Sequence, residues 1–431
     1  MIGEAASDRD LATLVVPQWG RLDDAGDAAE PYRLLDDGGE AIEAVTVYFR
    51  ELLASGCATT TLRSYGMDLL RWYRFLVAVD VCWDRTGRVE ARDFMIWLRV
   101  ADKPKRTHWR RQRDPETAQA APSSVAPGGG SVLVPGALNP VTGKPTLGRG
   151  YSAATRAHAE TVLRAFYDFH LERGTGPIVN PFPLERARRG SRANAHHNPL
   201  QPFKAERKGR YRPRVQSRVP RRIPDDLFNA LFAVLTSHRD RALLAFWVST
   251  GARAQELLDA RRRDADPGQQ LISVVRKGSR VVQRLPASAD AFVWLRLYQQ
   301  ELWRSGVARD AGSWLWWTLR RPWRRLTYPA ARAMFGRANS MLGANWTLHD
   351  VRHTAAYRMA RDPQLPLTDV QWVLGHASLS TTQIYTAASQ EEVIADVLAH
   401  HARRASTPAV PAPPAPGYDP ASLGVLFGDL P

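Results

Sequence analysis

His349-Asp350-Val351-Arg352-His353, then Leu374-Gly375-His376, then Thr381-Thr382-Gln383-Ile384-Tyr385, form the stretch that decides how this chain is built. His349 and Arg352 are three residues apart, so on a helix both side chains project from one face. Gly375 is placed to end a short helix that Thr368 caps, and His376 follows directly. Nine residues beyond stands Tyr385, in a polar stretch where packing does not call for an aromatic ring.

Upstream, the apolar run Ala242–Val248 ends in Ser249-Thr250-Gly251-Ala252-Arg253-Ala254-Gln255-Glu256, which places Arg253 between a glycine and a new apolar turn. Twenty-four residues after Arg253, the alternating segments Leu271–Val275 and Val281–Leu285 flank Arg276-Lys277-Gly278-Ser279. This pattern predicts a β-hairpin with Lys277 at its tip.

Two Arg, one Lys, two His and one Tyr make chemical sense as a set for transfer of a phosphodiester. Negative charge grows on the non-bridging oxygens as a fifth oxygen approaches phosphorus, and fixed guanidinium forks stabilise it. A tyrosine hydroxyl can attack phosphorus and keep the strand covalently attached. An ammonium can protonate the departing sugar oxygen, and imidazoles can bond the phosphate or relay the nucleophile's proton. The sequence offers neither a carboxylate cluster of the two-metal type nor a GxxxxGK[ST] phosphate loop, so no metal or ATP is expected.

In motif order and spacing, TGARAQEL, the RKG hairpin, HDVRH, LGH and TTQIY resemble the catalytic signature of the tyrosine recombinases, or phage integrase family. The resemblance is close over 223–402 and loose over 41–182, where it includes an Asn180-Pro181 step. It implies that Arg253 and Arg352 clamp the scissile phosphate. It further implies that Lys277 is the general acid, that His349 and His376 assist, and that Tyr385 forms a 3′-phosphotyrosine. Lys208 and Arg280 are alternatives to Lys277. Glu256, Asp350 and His353 are implied as supports that orient their neighbours.

The implied fold is mainly α with a small β-sheet or hairpin: a helical core-binding domain and a mixed, mainly helical catalytic domain, forming a C-shaped clamp on DNA. The implied partners are double-stranded DNA and three further copies of the chain, a homo-tetramer on two sites, with an accessory DNA-bending or excision factor. Strand exchange would pass through a Holliday junction. Two other readings stay open: a type IB topoisomerase-like nicking and resealing enzyme, and a non-catalytic DNA-binding factor.

Charge supports a polyanionic partner. The 431 residues carry 59 Lys and Arg against 43 Asp and Glu, a net of +16. The distribution is uneven. Residues 1–40 hold ten acidic side chains against three Arg, and 184–222 hold thirteen basic against two acidic. The latter segment contains four prolines and no apolar periodicity, so it reads as an extended interdomain connector, 183–222, lying on a nucleic-acid backbone through Arg207, Lys208, Arg210, Arg212 and Arg214.

On its N-terminal side, Leu62, Tyr65, Leu69, Trp72 and Leu76 form one helical stripe. Ser152 caps another, with Ala159, Val162, Phe166 and Phe169 on its apolar face and an end near Gly174. Shorter helices are expected near 41–54 and 90–101. The expected domains are therefore an acidic extension, 1–40; a helical bundle, 41–182, with a long basic then Gly/Pro-rich insertion at 102–150; the linker; a catalytic domain, 223–404; and a Pro/Ala-rich tail, 405–431. The insertion is read as a sign of a mobile element. Helix Glu391–His401 and the apolar patch Leu423–Leu430 are expected to reach a neighbouring protomer. His196-His197 and His400-His401 lack further ligands and read as surface residues. With 44% hydrophobic residues, Cys57 and Cys82 as the sole cysteines, an acidic start and no long apolar run, the chain is expected to be a folded cytoplasmic, nucleoid-associated protein.

Overall fold

A computed structural model describes residues 9–104, 135–146, 148–185, 208–215, 221–307 and 310–386, with a few short pieces beyond. Most of the 102–150 insertion, His196-His197, Arg207, His400-His401 and nearly all of Leu423–Leu430 lie outside the described residues. The chain divides into two compact units, Met1–Arg218 and Val219–Pro431.

The first unit is helical. Its α1 (Glu43–Ala54), α2 (Thr59–Ala78), α3 (Arg88–Val100) and α4 (Ala153–Glu172) close around one apolar core. The α2 stripe makes this possible, because Leu62, Leu69, Trp72 and Leu76 turn one face inward and are buried. Trp72 Nε1 donates to the Tyr167 hydroxyl at 2.8 Å, so the indole is buried without leaving its donor unmet. Phe75, Phe94 and Phe182 pack around the same ring. Burying one such large side chain contributes roughly 1.5–3 kcal/mol. The Ser152 hydroxyl accepts from Thr155 N at 3.1 Å and starts α4, and Gly174 follows its end in a left-handed conformation.

Two parts of this unit differ from the sequence expectation. The described part of the acidic segment, 9–40, is integral to the fold. Strands β1 (Arg21–Asp24) and β2 (Tyr32–Leu35) pair antiparallel, Leu34 is buried, and Arg74 donates to the carbonyls of Trp19 and Gly20. The connector is also anchored rather than extended where it is described. Glu185 N donates to Lys208 O at 2.7 Å, Arg210 N donates to Pro183 O at 2.9 Å, and Tyr211 packs on the core. A single backbone bridge has no periodicity, so the sequence pattern does not reveal it. Lys208, Arg210, Arg212 and Arg214 remain exposed around this anchor.

The second unit is built on α6 (His238–Thr250), with α5 (Asp225–Ala233) ahead of it. The Ser237 hydroxyl caps α6, and Ala242 to Trp247 are buried on every side, which marks a central helix rather than a surface one. It ends at Gly251, whose φ of 61° is the left-handed conformation that favours glycine. Then come the short α7 (Ala254–Leu258), a three-stranded antiparallel sheet and α8 (Ala289–Arg304). The strands are β3 (Ala265–Asp266), β4 (Leu271–Val275) and β5 (Val282–Pro286). Ile272 pairs with Leu285 and Val274 with Gln283; Ile272, Val274 and Leu285 are buried, while Val275 and Val282 face outward. Helices α9 (Tyr328–Met341), α10 (Leu348–Ala360), α11 (Leu367–Leu374) and α12 (Ser380–Gln383) complete the unit. No described helix is long and apolar enough to cross a membrane.

Candidate active site

Helix α10 begins with a reciprocal cap. The Thr347 hydroxyl accepts from Asp350 N, and Asp350 Oδ2 accepts from Thr347 N at 2.6 Å. Asp350 thus spends its carboxylate on starting the helix that carries His349, Arg352 and His353. One turn in, Arg352 is buried, and its guanidinium donates to Gly251 O at 2.6 Å and Leu374 O at 2.7 Å. Both carbonyls belong to the last turn or the cap of a helix, where no intrahelical donor reaches them. Burial, with Arg253 as a second cation nearby, brings the Arg352 guanidinium down to about 10, so it stays charged at neutral pH.

The same guanidinium lies 3.1 Å from His376 Nε2. Because Arg352 can only donate, Nε2 must accept, which leaves the proton on Nδ1 to reach the Thr382 hydroxyl at 2.9 Å. Burial and the charges of Arg352, Arg253 and Arg276 lower this imidazole to about 4. His376 is therefore neutral at physiological pH. It is delivered by Gly375, which ends α11 in the left-handed conformation. That helix is preceded by Pro366 and has no side-chain cap; Thr368 sits inside it and bonds Asp369 instead, which corrects the expected cap.

Tyr385 differs from expectation as well. It is 5% exposed and packs with Ala356, Val370 and Leu374, so the ring does serve packing. Its hydroxyl lies 2.8 Å from His353 Nδ1, and its ring stacks parallel to that of His376 with centroids 6.3 Å apart. Burial raises the phenol above its usual value, against the pull of Arg352. His353, expected as a support, thus touches the tyrosine directly. The exposed ring of His349 stands edge-on against that of His353 at 4.3 Å.

Glu256 ties the remaining elements together. One carboxylate oxygen takes Arg253 Nη1 and Lys277 N, and the other takes Arg253 N and Arg276 Nη1, all at 2.9–3.0 Å. Burial would raise this acid, but the amides of Lys277 and Arg253 and the guanidinium groups hold it below the usual range. Lys277 itself is exposed at the hairpin turn, as is Arg280. Arg253, Arg276, Lys277, Gly375, His376 and Thr381 line one open cleft. Arg276 went unassigned in the sequence, because a buried arginine beside a hairpin tip has no local signature. Among the described residues, no group of three or more His, Cys, Asp or Glu could hold a metal ion.

Residues 221–392 match the model of the phage integrase family. A tyrosine recombinase XerC of Chlamydia caviae is 32% identical over 187 residues, covering 42% of this chain and 58% of the relative. A tyrosine recombinase XerC of Serratia marcescens is 29% identical over 247 residues, covering 55% and 69%. The chain spans a little under three-fifths of the first of these relatives. Two solved structures share the fold at 14% identity and a TM-score of 0.50. One is a lambda integrase dimer bound to a COC′ core site, covering 81% of this chain and 97% of that one. The other is the Tn1549 transposon integrase in complex with transposon right end DNA, covering 84% and 99%.

Proposed function

We propose, for a chain whose residues 221–392 belong to the phage integrase family of tyrosine recombinases, a site-specific DNA recombinase that works through a 3′-phosphotyrosine. The observation that carries this is the convergence of Arg352, His376 and Tyr385, joined by the 3.1 Å contact of Arg352 with His376 and the 2.8 Å contact of Tyr385 with His353.

In the cleavage step the Tyr385 hydroxyl oxygen bonds to phosphorus and the bond from phosphorus to the 5′-oxygen breaks. The phenol proton leaves to His353 Nδ1, and the Lys277 ammonium gives a proton to the 5′-oxygen. Arg253 and Arg352 carry the charge that grows on the non-bridging oxygens, with exposed His349 as a further donor and neutral His376 assisting by holding the Arg352 guanidinium through its Nε2. These guanidinium groups are held before substrate arrives, so little reorganisation is needed as the transition state forms. Exchange between two sites requires four protomers and a Holliday junction, the arrangement proposed here, with Arg207, Lys208, Arg210, Arg212 and Arg214 contributing backbone contacts.

The test is a nicked suicide substrate. A covalent band with the wild type that disappears in Tyr385→Phe is expected; a band of unchanged intensity in that variant overturns the proposal. Activity confined to one short sequence separates recombination from topoisomerase-like resealing, which would relax plasmids lacking any cognate site. The long 102–150 segment favours service on a mobile element, and the XerC names of the relatives favour a chromosomal recombinase as the second reading. An attachment site or excision-factor gene beside this one selects the former.

A further inference from the structure

We propose that Arg276 is a positioning residue that docks the Lys277 turn onto the two helical segments carrying Arg253 and His376, so that the general acid is in place before DNA arrives. This rests on the reaction proposed above. A hairpin tip is held by little beyond its own strands, and the Lys277 turn contains two left-handed residues, Gly278 and Arg280. A general acid must nonetheless stand within hydrogen-bond reach of the atom it serves. Something outside the hairpin has to hold the turn.

Arg276 does so with all three of its nitrogen atoms. Its Nε donates to Gln283 Oε1 at 2.6 Å, across the hairpin. Nη1 donates to Glu256 Oε2 at 2.9 Å on α7, and Nη2 donates to Val373 O at the end of α11. Gln283 adds a second tie, from Nε2 to Trp372 O at 2.8 Å. Glu256 in turn accepts from Lys277 N and from Arg253, so one guanidinium and one carboxylate link three strand or helix ends. Gly375 completes the fit. A Cβ there would stand 3.1 Å from Arg276 Nε and 3.3 Å from its Cζ. Arg276 is 5% exposed, and each of its three nitrogen atoms donates to a protein acceptor that ties the hairpin to its surroundings.

The experiment is single-turnover cleavage of a suicide substrate made in two forms, one with the ordinary scissile phosphate and one with sulfur in place of the bridging 5′-oxygen. A thiolate leaves without a proton, so the sulfur form no longer needs the general acid. Lys277→Ala serves as reference, and filter binding reports affinity separately. Arg276→Ala is expected to lose about 100- to 1,000-fold on the ordinary substrate, within the range a general acid supplies, and to return to within about threefold of wild type on the sulfur form. The double variant should lose no more than Lys277→Ala alone, since both act through one step. An equal loss on both substrates overturns the proposal, as does wild-type cleavage of the ordinary one. Should Arg276→Ala fail to fold, Gln283→Ala removes one anchor at a less buried position; the proposal then stands or falls on a smaller loss with the same sulfur rescue. A wild type that forms no covalent product on either substrate instead overturns the underlying reaction.

Discussion

The Tyr385 hydroxyl lies 2.8 Å from His353 Nδ1, and the ring that carries it is almost wholly buried. A buried phenol is a harder acid to ionise, so a neighbouring imidazole has most to contribute where the proton must leave. His353→Ala should slow cleavage by about 100-fold or more while DNA affinity is unchanged. The rising limb of its pH–rate profile should move upward, toward the raised value of the phenol itself. A profile superimposable on that of the wild type would assign His353 to packing alone.

Arg352 joins Gly251 O and Leu374 O, two helix ends that lie far apart in the chain. In Arg352→Ala both carbonyls lose their donor, at roughly 1–3 kcal/mol for each group that stays buried and unmet. Arg352→Lys keeps the charge but cannot span two carbonyls and the imidazole with one fixed fork. Both variants should show a lower urea midpoint and no detectable covalent product. A stable, cleaving Arg352→Lys would show that charge alone suffices.

Gly251→Ala tests the same junction from the other side. At φ 61° a side chain is strained, and the new Cβ would come 2.8 Å from Leu374 Cδ2. Overpacking of this kind costs about 1–3 kcal/mol, and it also displaces a carbonyl that Arg352 uses. Thermal unfolding and cleavage should fall together; a loss of stability without a loss of cleavage would uncouple the helix end from the guanidinium.

His376 has a sign that can be checked. Its folded value of about 4 lies below the 6.5 of an unperturbed imidazole, so between those values the unfolded chain binds more protons. Its contribution to stability is present above pH 6.5 and is lost as the pH falls toward 4. The urea midpoint of His376→Gln should therefore fall less than that of the wild type between pH 7 and pH 4.5. Parallel declines would show that the imidazole is not held neutral.

The exposed Arg210, Arg212 and Arg214 predict salt dependence. Replacing all three with Gln should reduce the slope of log affinity against log salt by about 0.9 for every phosphate that the protein no longer neutralises. The chemistry at bound DNA should persist, and an unchanged slope would show that this segment does not lie on the backbone.

Much of the site was legible in the chain itself. The stripe from Leu62 to Leu76, the Ser152 cap, the hairpin flanking Lys277 and the helix carrying His349 and Arg352 are all set by spacings of two, three or four residues. Such spacings report which side chains share a face, because strand and helix geometry repeats over those intervals. Gly375 was legible for a similar local reason, since it ends a helix in a conformation other residues avoid, whereas the same role of Gly251 emerged only with the fold.

What the sequence by itself determined is the inventory: which cations, imidazoles and phenol exist, in what order, and on which local element each rides. What the tertiary structure alone decided is which of them meet. The bond from Arg352 to Gly251 spans 101 residues and that from Arg276 to Val373 spans 97. No local period encodes such pairings; they exist because α10, α11 and the hairpin bring unpaired helix-end carbonyls within reach of buried guanidinium groups. The same packing made His353 a partner of Tyr385, made Tyr385 part of a core, and put Arg276 behind Lys277, because a buried donor must find an acceptor wherever the fold supplies one.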